Sequence, residues 1–155
     1  EKLIKSSKIL ECSIDFLLND ELQKEEELKA DPSITECYKF IRECGYFVLG
    51  TSADNRPRLR PMGMIYSDGK ALYIATDRRK KVYTEVINNP YFELIAYHMN
   101  SNRWIRMSGE AKVESSVTIA GEMRTVYPMI SQEYAREDEM YFVILKLLAS
   151  EINKY

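Results

Sequence analysis

The sequence predicts an α+β domain in which helices flank an antiparallel, barrel-like sheet. Two observations support this fold class: the strand-like stretches are short and joined by tight turns, and helical stretches stand before the first strand and between the third and fourth. The chain has 155 residues, 45% of them hydrophobic and 30% charged, as in compact soluble domains. A chain of this length buries roughly 70% of its unfolded surface. We therefore expect one self-sufficient core and exclude the stapled mini-protein classes.

The first thirty residues are predicted to form an acidic amphipathic helical arm, separate from a main domain over residues 31–155. Apolar residues recur at near-helical spacing from Ile4 to Leu22, and the run Glu25-Glu26-Glu27 follows. Residues 1–36 carry five Lys against ten acidic residues, a net charge of −5. We assign the arm no role beyond packing on a neighbour.

The main domain is predicted to open with a helix that runs from Pro32 to about Cys44. Asp31 can cap the free amides, Pro32 is tolerated in the first turn, and Gly45 stands where a left-handed C-terminal cap is usual.

Six strands are predicted after this helix, because the period changes from helical to alternating at Tyr46. Asp54-Asn55 and Asp68-Gly69 supply turn residues between the first strands, and Pro90 ends the helix that precedes the fourth. The predicted strands are residues 46–51, 58–66, 71–76, 91–99, 103–114 and 140–148. Helices are predicted at about residues 79–88 and 116–126, with a further turn of helix at 131–136.

The positive charges are concentrated in the middle of the chain. Residues 56–81 carry eight Lys or Arg against Asp68 and Asp77, a net charge of +6, although the whole chain has a net charge of −2. The whole-chain value argues against a generally basic nucleic-acid binder. The basic centre instead indicates a local site for an anion.

Two basic clusters form this centre. Alternation puts Arg58 and Arg60 on the same side of the second strand, which is either a solvated face or an anion site. The segment from Thr76 to Lys81 follows the third strand and opens a helix, where free amides and the helix dipole favour phosphate; a plain basic surface is the alternative. Adjacent antiparallel strands lie about 5 Å apart, so the two clusters can converge. A phosphate site is the better interpretation, with Thr76, Lys80 and Lys81 as candidates.

The remaining chemistry-bearing residues are less specific. Trp104 alternates with Arg106 on one face of the fifth strand, and it suits the core or an interface at least as well as ligand stacking. His98 is the only histidine and is interpreted as structural or exposed. The cysteines, Cys12, Cys37 and Cys44, lack C-x-x-C spacing, so neither disulfides nor a metal site is predicted. The sequence also lacks the G-x-S-x-G elbow, the Walker A loop and G-x-G-x-x-G.

Taken in order, several segments resemble the pyridoxamine 5'-phosphate oxidase-like FMN-binding split-barrel family over about residues 35–148. The segments are Phe47-Val48-Leu49-Gly50-Thr51, Pro57-Arg58-Leu59-Arg60-Pro61-Met62, Leu72-Tyr73-Ile74-Ala75-Thr76, Lys80-Lys81-Val82-Tyr83, Asn89-Pro90 and Trp104-Ile105-Arg106-Met107-Ser108-Gly109. The resemblance implies a six-stranded split β-barrel that forms a homodimer, with FMN at the subunit interface.

The resemblance also assigns roles to residues. Arg60, Pro61 and Met62 correspond to the strand that contacts FMN, with help from Arg58. Ala75 contributes backbone, while Thr76, Lys80 and Lys81 hold the phosphate, in agreement with the charge argument. Trp104 and Arg106 correspond to positions near the flavin, within reach of the partner subunit's site. The cofactor-binding set is therefore Arg58, Arg60, Pro61, Met62, Ala75, Thr76, Lys80, Lys81, Trp104 and Arg106; no catalytic residue is assigned.

The function expected from the resemblance is that of an FMN-dependent oxidoreductase, of the flavin reductase or nitroreductase kind, using NAD(P)H and a small-molecule substrate. A non-catalytic flavin- or haem-binding or sensing module and a cofactor-free dimeric scaffold are the alternatives. The oxidase activity of the family's namesake is not expected, because the sequence ends at Tyr155 without the C-terminal Trp and Arg residues that bind pyridoxal phosphate in those enzymes.

The sequence also indicates where the protein works. The apolar runs are far shorter than the ~20 residues of a membrane-spanning helix, and residues 1–5 do not resemble a secretory signal. We expect a cytoplasmic protein that binds neither membrane nor nucleic acid.

Overall fold

A computed structural model of the chain describes residues 30–155. The predicted acidic arm lies outside the described residues.

The first described helix, α1, spans Pro32–Cys44 and has the predicted caps. The Asp31 side chain accepts a hydrogen bond of 2.8 Å from the Ser33 amide, and Gly45 adopts a φ of 79° while its amide donates to the Ile41 carbonyl. A left-handed residue at this position is strained for any side chain but glycine. The local residues therefore determine both ends of α1.

The sheet contains seven strands, one more than predicted, because the second predicted strand is two strands. In chain order they are β1 Phe47–Ala53, β2 Arg56–Met62, β3 Ile65–Ser67, β4 Leu72–Asp77, β5 Tyr91–His98, β6 Arg103–Glu114 and β7 Phe142–Lys154. Met62 pairs with Phe47, the first residue of β1, so β2 has no partner beyond that point. The chain crosses at Gly63 and Met64, and β3 pairs with β4 instead.

The strand order in the sheet is β2-β1-β5-β6-β7-β4-β3, with the observed pairs antiparallel. Since β2 and β3 lie at opposite edges but are joined by two residues, the sheet has to curl until its edges approach each other. This geometry confirms the predicted α+β class and barrel-like form.

The helices after β4 lie close to their predicted positions. They are α2 Lys81–Asn88, α3 Val117–Val126, α4 Met129–Glu133 and a 3₁₀ helix at Arg136–Tyr141. The helix α2 begins two residues later than predicted, because the Asp77 carboxylate accepts a hydrogen bond from the Arg79 amide and holds residues 77–80 in a turn. None of the helices in residues 30–155 is long and apolar enough to cross a membrane.

Two apolar clusters flank the strand β4. Leu72 and Ile74 point into the main core cluster, which also contains buried residues of α1, α2, β1 and β5. Tyr73 and Ala75 point to the opposite side, where Met123 of α3 and Ile130 of α4 cover them. The alternation along β4 therefore decides which side of the sheet each of its residues can serve.

Candidate functional site

A polar cleft of about 590 Å³ lies between the β1–β2 turn and the helix α2. Asp54 and Asn55 form the turn with φ values of 53° and 58°, as a tight hairpin requires. The cleft is lined by Ser52, Ala53, Asp54, Asn55, Arg58, Arg79, Lys81, Thr84, Glu85, Asn88 and Asn89. Arg58 and Lys81, which come from the two basic clusters of the sequence, thus face one space, as the charge pattern predicted.

Only some cations near the cleft can take a ligand. Arg58, Lys80 and Lys81 are exposed and form no ion pair or side-chain hydrogen bond with any of residues 30–155. Arg78, in contrast, donates to the Met140 carbonyl at 3.2 Å and to the Tyr83 hydroxyl at 2.7 Å. The available positive charge therefore lies on the two lysines and Arg58.

Arg79 is held by carboxylates. Its guanidinium donates to both oxygens of Asp77, with a closest distance of 2.6 Å, and pairs with Asp138 at 3.1 Å. Asp77 is buried, and the hydrogen bonds from Arg79 lower the pKa of its carboxyl below the usual value. This fork fixes the turn between Thr76 and Lys81.

The lowered pKa predicts a pH-dependent stability. A carboxyl whose pKa is lower in the folded than in the unfolded protein stabilises the fold above the unfolded pKa of about 3.9, and this stabilisation is lost as the pH falls below it. We expect Asp77→Asn to lower the melting temperature by about 5 °C at pH 7. The difference from the wild type should shrink as thermal unfolding is measured from pH 6 towards pH 3.

Asp54→Asn is the matched control, because Asp54 is exposed and forms no ion pair within residues 30–155. It should change the melting temperature little at any pH. A difference between Asp77→Asn and the wild type that stays constant with pH would contradict the role given to the Asp77–Arg79 pair.

Thr76, the next-to-last residue of β4, has a buried hydroxyl. Its residue is 3% exposed, and within the described part of the chain its Oγ1 atom is the buried side-chain polar atom without a hydrogen-bond partner. Leaving such an atom unpaired costs about 1–3 kcal/mol. Ala75 points to the other side of β4, so only its backbone can serve this site.

Arg60 is already engaged, which the sequence did not indicate. One of its guanidinium nitrogens pairs with the Glu85 carboxylate at 2.5 Å, and another donates to the Thr51 hydroxyl at 2.8 Å. Glu85 lies on α2 and Thr51 on β1, and both are buried. The only sequence signal for Glu85 was an acidic residue on the side of α2 that also carries Val82 and Val86.

A second group of predicted residues lies on the outer face of the sheet, which is the face turned away from the main core cluster. The register aligns Pro61, Val48, Ile95 and Arg106 in one row across β2, β1, β5 and β6. Arg106 pairs with Glu93 at 3.3 Å on this face. Arg58, Arg60 and Met62 point to the opposite, inner face. This follows from the pairing, because Arg60 lies opposite Leu49, which is buried. Within one chain, the predicted residues that belong to the sheet therefore lie on its two opposite faces, while Lys80 and Lys81 lie at the start of α2.

Trp104 also lies on the outer face, where its ring stacks on Tyr155 with centroids 3.9 Å apart. Four side chains of this face are apolar or aromatic and at least 40% exposed: Leu59, Tyr91, Ile95 and Tyr97. Apolar side chains that are exposed together on one face are typical of a surface that contacts another protein.

His98 and Cys37 have side chains of reactive types, but both occupy structural positions. His98 Nδ1 lies 2.8 Å from the Ser101 hydroxyl at the β5–β6 turn. Cys37 is buried in the main core cluster, which raises the pKa of its thiol to about 12 and makes it unreactive. No group of three or more potential metal ligands occurs within the described residues.

Comparisons with solved structures return the same fold. A NimC/NimA family protein from Clostridium acetobutylicum is 24% identical with a TM-score of 0.68, and the match covers 79% of this chain and 91% of that one. A putative pyridoxamine 5'-phosphate oxidase from Listeria innocua is 21% identical with a TM-score of 0.63, covering 77% and 95%. A pyridoxamine 5'-phosphate oxidase-related, FMN-binding protein from Nostoc punctiforme is 16% identical with a TM-score of 0.57, covering 80% and 84%.

No curated protein matches the sequence. The family model for pyridoxamine 5'-phosphate oxidase matches residues 33–153, which is most of the chain and nearly all of the described sheet. The chain belongs to the pyridoxamine 5'-phosphate oxidase family.

Proposed function

We propose that this protein binds FMN and acts as an FMN-dependent oxidoreductase, of the flavin reductase or nitroreductase kind, with NAD(P)H as the electron donor. Membership of the pyridoxamine 5'-phosphate oxidase family supports a flavin. So does the similarity of its fold to the Nostoc punctiforme protein, which is described as FMN-binding.

The observation that carries the proposal is made within residues 30–155: the buried Thr76 hydroxyl has no hydrogen-bond partner there, and Lys80 and Lys81, which follow it in the next turn, have no carboxylate partner there. The Lys80 amide donates to the Asp77 carbonyl at 3.0 Å, so the turn brings Lys80 and Lys81 back towards the end of β4. A buried hydroxyl donor, two ammonium groups and the N-terminus of α2 form a donor set that suits a phosphate. The residues present therefore fit the cofactor.

Different elements of the chain would bind different parts of the cofactor. Thr76, Lys80 and Lys81 would hold the phosphate, with Arg58 adding charge across the cleft. The β2 segment from Arg60 to Met62 would contact the cofactor, and its Met62 end would orient the flavin ring, which supplies the hydride-transfer chemistry when it is bound. Glu85, a buried carboxylate at the cleft, is already paired with Arg60, so we assign no general acid or base.

We also propose that the outer face joins two copies of the chain. Leu59, Tyr91, Ile95 and Tyr97 would form an apolar contact of the kind that homodimers bury. Trp104 and Arg106 share this face, so a second copy could receive them at its own site. Sedimentation at micromolar concentration should give a dimer, and a monomer would count against this arrangement.

An anaerobic reduction experiment tests the enzymatic part of the proposal. The protein is loaded with FMN, and NADH or NADPH is added while the visible absorbance of the oxidised flavin is followed. We expect bleaching with at least one donor. Absorbance that persists with both donors would reject the reductase and leave the non-catalytic flavin- or haem-binding or sensing module as the better account.

A further inference from the structure

Donors from two strands converge on a single carboxylate oxygen beside the cleft. The Thr51 hydroxyl donates to Glu85 Oε2 at 2.6 Å, and the Arg60 guanidinium donates to the same oxygen at 2.5 Å. Arg60 also donates to the Thr51 hydroxyl at 2.8 Å, which fixes the two donors relative to each other. A hydroxyl and a guanidinium aimed at one oxygen are what proteins use to bind oxyanions.

The surroundings of this oxygen are those of an anion site. The Glu85 side chain is 8% exposed and that of Arg60 is 22% exposed, so the pair is shielded from bulk water. Glu85 lines the same cleft as Arg58 and Lys81, whose charges have no carboxylate partner within residues 30–155. Glu85 is thus a fixed negative charge inside a space that otherwise attracts anions.

We propose that the Thr51–Arg60 pair is an oxyanion-binding position and that Glu85 is its internal competitor. A phosphate group in the cleft would accept hydrogen bonds from Arg60 and Thr51 only when it displaces the Glu85 carboxylate. This inference rests on the proposed function in so far as it takes the phosphate held at Lys81 to reach the cleft that Lys81 lines. It accounts for why Arg60, a residue assigned to the ligand by the family pattern, is paired within its own chain.

If Glu85 competes with phosphate, replacing Glu85 should strengthen the binding of phosphate and lower the stability of the fold. Glu85→Gln keeps the shape of the side chain but removes its charge, so phosphate no longer meets a buried like charge and Arg60 is freed. We expect the dissociation constants of inorganic phosphate and of FMN to fall about tenfold or more. Without ligand the variant should melt at a lower temperature than the wild type, since Arg60 loses its carboxylate.

The measurement is a calorimetric titration of wild type and variant with inorganic phosphate and, separately, with FMN. Glu122→Gln is the matched control, because Glu122 is exposed on α3 and its change removes the same charge far from the cleft. Adding Arg60→Gln to Glu85→Gln should abolish the gain. If Glu85→Gln does not fold, Glu85→Ala replaces it, because it also removes the buried carboxylate, frees Arg60 and should tighten phosphate binding in the same direction.

The outcomes separate this inference from the proposed function. Phosphate binding that is unchanged or weaker in a folded Glu85→Gln or Glu85→Ala variant overturns the inference and makes Glu85 a purely structural partner. The wild type and the variant could both fail to bind FMN while the variant binds inorganic phosphate more tightly than the wild type. That result would support this inference and reject the proposed FMN function. FMN binding that becomes weaker in the variant is compatible with the proposed function but rejects the role of Glu85 as a competitor.

Discussion

Replacing Lys80 and Lys81 together by alanine is expected to raise the dissociation constant of FMN roughly 100-fold. Both ammonium groups are exposed beside the N-terminus of α2 and are not committed to any carboxylate among residues 30–155. A hydrogen bond to a charged group contributes about 1.5–3 kcal/mol, so losing two of them corresponds to about 3 kcal/mol or more. Quenching of FMN fluorescence on titration with protein measures the effect.

The matched control is the double variant Lys70→Ala with Lys112→Ala. Lys70 lies in the β3–β4 turn and Lys112 on β6, both are exposed, and the change in net charge is the same. This control should shift the dissociation constant by less than about threefold, through long-range charge alone. Equal weakening by both double variants would show that general charge, rather than a phosphate site at α2, determines the affinity.

Gly109→Ala is expected to destabilise the fold by about 3 kcal/mol or more, which lowers the melting temperature by roughly 10 °C. A Cβ atom at Gly109 would lie 1.9 Å from the Leu148 carbonyl oxygen and 2.9 Å from its carbonyl carbon. Both atoms belong to backbone, so neither can rotate away. The register between β6 and β7 shifts between Ser108 and Gly109, and the added carbon would force these two long strands apart.

The control for this substitution is Gly121→Ala on the helix α3. A Cβ atom at Gly121 meets nothing within 4 Å, and alanine is favoured over glycine in a helix by up to about 1 kcal/mol. The control should therefore melt at the same temperature as the wild type or slightly higher. A Gly109→Ala protein that unfolds at the wild-type temperature would contradict the close approach of β6 and β7.

Most of the fold could be predicted because its signals are local. Asp31 and Gly45 act on the amides and carbonyls of their own helix, and the alternation of Ile105 and Met107 against Trp104 and Arg106 follows from strand geometry alone. The break between β2 and β3 could not be predicted, because it depends on where β1 ends and on which strand lies at the opposite edge.

The convergence of the two basic clusters on one cleft could be predicted for the same reason. Clustered charge along the sequence indicated that Arg58 and Lys81 could converge, and both line the cleft. The pairing of Arg60 with Glu85 joins residues 25 positions apart and depends on how α2 packs against β1, which no local pattern encodes. The sequence also could not show that Arg79 is neutralised by Asp77 and Asp138, since Asp138 reaches it from the 3₁₀ helix.

In our proposal this fold holds FMN by its phosphate, at Thr76, Lys80 and Lys81. Thermal unfolding of the whole protein with increasing FMN, and in parallel with riboflavin, tests it most directly because riboflavin lacks the phosphate. A site filled at 100 times its dissociation constant stabilises the protein by about 2.7 kcal/mol. We predict a melting temperature that rises with FMN and much less with riboflavin. A melting temperature that FMN leaves unchanged, or that both compounds raise equally, would contradict the claim.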